Sequence, residues 1–179
     1  MSYGKAQLEE LALKLSKIGD TLTYELPEFW WLSQGEEAVV IVRILKKNKK
    51  IEVFETPKMT LKAAIRTVIN NIDIAKKLKG KEFYHAIKII EEDIASIVNI
   101  YSMIKEAHSI VKRAENLKKY ISKSNLNPNK IQEYKQMLSE VIKWIREIFT
   151  TNPRDWKNRK DFFERVVNKI EAEVSQQIG

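Results

Sequence analysis

The sequence predicts a mainly α protein: a helical bundle with one long central helix, preceded by a small α/β head carrying a three-stranded antiparallel sheet. Three observations predict it. Apolar residues recur at three- and four-residue spacing over most of the chain. One block, residues 22–55, switches to alternating or β-branched patterning. Three prolines follow capping side chains, at Thr56-Pro57, Asn127-Pro128 and Asn152-Pro153, where a missing N–H costs a starting helix nothing. A head over residues 1–56 and a bundle over 57–179 follow, joined by a linker at 56–59.

In the head, Leu8, Leu11, Ala12, Leu15 and Ile18 mark an amphipathic helix that Gly19 is placed to stop. Leu22, Tyr24 and Leu26 then alternate with polar residues as a strand does. Pro27 suits the first turn of a short helix that would carry Phe29, Trp30, Trp31 and Leu32 and end at Gly35, with at least two of its aromatics sealing the head core. AVVIVRIL (38–45), KKNKK and IEVFE (51–55) read as a hairpin.

In the bundle, Leu61, Ile65, Val68, Ile69, Ile72 and Leu78 share one helix face that should end near Gly80. Phe83, Ile87, Ile90, Ile94, Ile97, Tyr101, Ile104, His108 and Val111 then alternate steps of four and three, which predicts one long helix reaching Ser122. Ile89, Val98, Ile100 and Ile110 widen its stripe, so more apolar helix surface is expected than one copy of the chain can bury, and association follows. Two further helices start at Pro128 and Pro153.

The composition excludes several classes. There is no cysteine, which removes disulfides and thiolate chemistry, and only His85 and His108 supply imidazole. His108 lies on the seam of the long helix and reads as an interior side chain; His85 reads as a surface one. Glu91, Glu92 and Asp93 read as solvated charge rather than a general acid/base pair. Neither GxxxxGK[ST] nor GxGxxG occurs. No enzyme activity, cofactor or metal is expected. No apolar run reaches the roughly 18–20 residues of a membrane span, and MSYGKAQLEE lacks a signal-peptide core, so the cytoplasm is the expected location.

The net charge of +8 is uneven: residues 1–56 hold 8 Lys/Arg against 9 Asp/Glu, and 57–179 hold 24 against 15. Basic clusters occur at the hairpin tip (Lys46, Lys47, Lys49, Lys50) and at the end of the long helix (Lys112, Arg113, Lys118, Lys119, Lys123). Around Trp156, the residues Arg154, Lys157, Arg159, Lys160 and Arg165 combine phosphate-contacting types with a base-stacking one. Arg154, Lys157, Arg159 and Lys160 are therefore the candidates for nucleic-acid contact.

Several stretches resemble the subunits of GINS, the non-catalytic assembly that joins the replicative helicase in archaea and eukaryotes. YELPEFWWLSQGEEAVVIV (24–42) is similar to the family's LP-aromatic turn, short helix, glycine and strand. KGKEFYHAIKIIEEDI (79–94) is similar to its acidic-Phe-Tyr helix start. The stretch 108–148, through Arg113, Asn125, Leu126 and Pro128, is similar to its arginine-bearing helix, Asn-Leu-x-Pro turn and following helix. The turn departs from the pattern in reading NPNK. The resemblance covers 24–148 and implies an archaeal-type scaffold subunit of a DNA replication complex. Its implied partners are a second GINS-like subunit and the replicative helicase or its RecJ-like companion.

The leading expectation is thus a non-catalytic interaction protein, a hetero- or homo-oligomer, with Trp30, Trp31 and Tyr101 as protein contacts. The alternative is a helical nucleic-acid-binding module, such as a small subunit of an RNA-guided or plasmid-replication complex.

Overall fold

The computed structural model describes residues 2–26, 40–48 and 50–178. The expectations for the aromatic stretch 27–39, with Trp30 and Trp31, and for Lys49 lie outside the described residues. Those described are mainly helical, in the order α1 (Ser2–Tyr24), β1 (Arg43–Lys47), β2 (Ile51–Glu55), α2 (Leu61–Ala75), α3 (Gly80–Ile121), α4 (Pro128–Thr151), a 3-10 turn (Pro153–Asp155) and α5 (Trp156–Ile178). The chain forms two compact units, Met1–Ser102 and Met103–Gly179. The expected boundary at 56/57 lies inside the first, and α3 contributes to both.

In the first unit, the expected third strand is a continuation of α1. Gly19 has no positive φ, and Leu15, Ile18 and Leu22 are all buried, so the 3.6-residue stripe runs through the glycine to Tyr24. The sheet is a two-stranded antiparallel hairpin pairing Arg43 with Glu55 and Leu45 with Val53. Side chains take the place of a third strand on the other edge of β1. The Arg43 N–H donates to Asp93 Oδ2 at 3.0 Å, the Leu45 N–H donates to Asn71 Oδ1 at 3.1 Å, and Asn71 Nδ2 donates to the Arg43 carbonyl at 2.6 Å.

The helix expected to start at Pro57 starts four residues later. Thr60 is its cap, accepting from the Ala63 N–H at 3.2 Å. Thr56 is buried and accepts the Val42 N–H, while Met59 pairs with Val40. These extended contacts hold residues 56–59 against the base of the hairpin and postpone the helix. At its far end α2 stops at Ala75, and Gly80, at φ +64°, opens α3. A residue without Cβ tolerates that left-handed conformation at little cost.

In the second unit, Asn127 accepts from the Asn129 N–H at 2.8 Å and Pro128 holds the first helical position of α4, as the sequence predicts. Asn152 departs from expectation: its side chain makes no cap bond, and Pro153 opens a 3-10 turn before α5. Phe149 meets Trp156 across this turn and Tyr134 hydrogen-bonds Glu173 at the other end, so α4 and α5 run antiparallel. The broad stripe of α3 does not stay uncovered. Ile87, Ile89, Ile90, Ile94, Ile97, Ile100, Ile104, Ile110 and Val111 are all buried.

Candidate functional site

The Trp156 cluster shows how α5 is anchored. The indole is fully buried, nearly parallel to Phe163 (centroids 6.0 Å, 16°) and tilted on Phe149 (5.5 Å, 43°). Its Nε1–H donates to Glu106 Oε2 at 3.1 Å, and Lys160 Nζ donates to the same oxygen at 3.1 Å. Partial burial pushes the Glu106 carboxyl up, but the hydrogen bonds from Lys160 and Trp156, with the charges of Lys160 and Lys157, outweigh it and hold the carboxyl below its usual value. Trp156 is therefore an internal anchor with no face free for a base.

The four basic residues singled out by the sequence divide accordingly. Lys160 is tied to Glu106, and Arg159 approaches Asp155 at 3.7 Å and lies over the Phe163 ring at 5.9 Å. Arg154 and Lys157 are exposed and form no ion pair among the described residues. At the hairpin tip Lys46, Lys47 and Lys50 are exposed, with Lys46 Nζ 5.3 Å from the Phe54 centroid.

Tyr101 is half-buried in the first unit. It lines a shallow groove of about 400 Å³ with Leu13, Lys14, Lys17 and Ile18 of α1. Leu13 is 62% exposed there. A large aliphatic side chain on the open face of α1 beside an aromatic one is what a protein partner would cover.

The acidic triplet on α3 is not all solvated. Asp93 is buried and holds β1; Arg43 reaches Glu92 at 2.6 Å and the Ile89 carbonyl at 3.2 Å. Burial pushes the Asp93 carboxyl above its ordinary value, and its hydrogen bonds and charge attraction with Arg43 only partly offset this. Its partner lies 50 residues away, so no local pattern could have exposed the role. His85 is exposed and His108 half-buried. Among the described residues no three His, Cys, Asp or Glu side chains converge on a metal position, and no helix is long and apolar enough to cross a membrane.

Of the residues carrying the GINS resemblance, Arg113 joins α3 to α5 through Asn168 and, at 3.4 Å, Glu171. Pro128 opens α4, Leu126 is half-buried and Asn125 exposed. A further basic feature lies between α2 and α3. Within the lysine-rich stretch Lys76-Lys77-Leu78-Lys79-Gly80-Lys81, residues 76–80 of the α2–α3 turn border a groove of about 760 Å³ with Lys5 and Tyr84. Four lysines in six residues were the available signal. No protein-family model, curated protein or solved structure matches the chain.

Proposed function

We propose that this protein is a non-catalytic interaction subunit, a GINS-like scaffold of a DNA replication complex that works by presenting helix surface to other proteins. The observation that carries the reading is Leu13, 62% exposed on α1 beside half-buried Tyr101. The sequence resemblance supports the replication context, with a second GINS-like subunit and the helicase or its RecJ-like companion as partners. In the purified protein a second copy takes the subunit's place on this surface.

Light scattering on the eluting protein tests it. The expected mass is a multiple of 21.0 kDa that Leu13→Glu returns to one chain. A single-chain mass for the unsubstituted protein at high concentration contradicts the reading.

A further inference from the structure

The groove at the α2–α3 turn gathers unspent positive charge in the first unit. Leu78 is buried and pins the turn, while Lys77 and Lys79 are exposed around it. Together with Lys76 and with Lys5 of α1 they border one concavity. None of these four lysines forms a salt bridge among the described residues. The acidic Glu91 at the groove's edge accepts a hydrogen bond from Gln7 at 3.1 Å. Four ammonium groups against one carboxylate repel one another until an anion enters.

The same groove offers an aromatic face. Tyr84 is 58% exposed and its ring stands edge-on to buried Phe83, centroids 5.7 Å apart at 69°. Phe83 in turn lies against Gly4, where a Cβ would come within 2.4 Å of the ring. The phenol ring is thus in edge contact with a fixed Phe83 ring and exposed to solvent.

We propose that this groove binds single-stranded nucleic acid, with Lys5, Lys76, Lys77 and Lys79 on successive phosphates and a base stacked on Tyr84. The lysines alone would suit any polyanion. The exposed ring selects a strand whose bases are unpaired, because only an unstacked base presents a π-face. The proposal is independent of the scaffold reading and places nucleic acid in the first unit, whereas Arg154 and Lys157 belong to the second.

Fluorescence anisotropy with a labelled oligothymidylate, over a salt series, tests it on the full chain. Four phosphate contacts predict a slope of log affinity against log salt of about −3, at roughly 0.7 per contact. Lys76→Glu with Lys77→Glu should flatten that slope, and Tyr84→Leu should weaken binding about tenfold at unchanged slope. Lys76→Gln with Lys77→Gln provides a milder second pair, and circular dichroism verifies that each variant is folded. Arg154→Glu with Lys157→Glu should leave affinity unchanged. The proposal is overturned if the Arg154 and Lys157 reversals weaken binding while the groove variants do not. It is equally overturned if Tyr84→Leu has no effect, if polyglutamate of equal charge displaces the oligonucleotide as well as unlabelled strand does, or if the unsubstituted protein does not bind.

Discussion

The Asn71 side chain pairs with the backbone around Leu45 as a neighbouring strand would, accepting the Leu45 N–H at 3.1 Å and donating to the Arg43 carbonyl at 2.6 Å. Asn71 is 1% exposed, so water cannot replace it. Asn71→Leu leaves two backbone groups unpaired and should cost about 2–6 kcal/mol, at 1–3 for each stranded group. Denaturant unfolding gives the loss, and hydrogen exchange at the Leu45 amide should accelerate. A cost below about 0.5 kcal/mol, within the range of ordinary surface substitutions, would mean the edge is satisfied some other way.

Asp93 supplies a pH dependence of defined sign. Its folded-state pKa lies above the unfolded value near 3.8, so the folded chain holds the proton more tightly. Its contribution is therefore most favourable below the unfolded value and falls as pH rises through the raised folded value. The stability of the unsubstituted protein minus that of Asp93→Asn should be larger at pH 3 than at pH 7. An unchanged difference, or one that grows with pH, would contradict the desolvation account.

Glu106 behaves in the opposite sense. Its folded-state pKa is lowered, so its contribution is present above the unfolded value near 4.5 and is lost as pH falls through the lower folded value. Glu106→Gln keeps an acceptor for Trp156 and removes a solvent-screened ion pair, so it should cost less than about 1 kcal/mol. Glu106→Leu strands the buried indole N–H and should cost about 1–3 kcal/mol. Equal costs for the two variants would show that the indole bond contributes nothing.

Gly4 and Phe83 form a tight contact, with the ring 2.4 Å from where an alanine Cβ would sit. Gly4→Ala must displace the ring or α1 and should cost about 1–3 kcal/mol by overpacking. Pairing it with Phe83→Leu should restore part of the loss, a coupling that a double-mutant cycle detects. Gly80→Ala meets no neighbour and should cost only the backbone strain of its positive φ, about 1–2 kcal/mol.

The long-period features were legible in the sequence. The stripe of α3 predicted a helix ending at Ser122, one residue beyond the observed end at Ile121, and Asn127-Pro128 predicted the start of α4. Features decided by distant partners were not. Gly19 and the alternation at 22–26 suggested a stop and a strand, but burial of Leu22 keeps the chain helical there. Thr56-Pro57 has the form of a cap, yet Val42 claims the threonine hydroxyl. Trp156 among basic residues suggested a stacking platform, but Phe149, Phe163 and Glu106 enclose it. The stripe width of α3 suggested unmet apolar surface, whereas burial moves that argument to Leu13.

Because the chain has no cysteine, Leu13→Cys places a single reporting thiol at the centre of the proposed protein-contact surface. The most direct measurement is the reaction rate of that thiol with an aromatic disulfide as protein concentration rises. Association through α1 predicts progressive protection that vanishes on dilution and is abolished by adding Tyr101→Glu. A rate equal to that of a free thiol at every concentration would contradict the claim that this face is covered by protein.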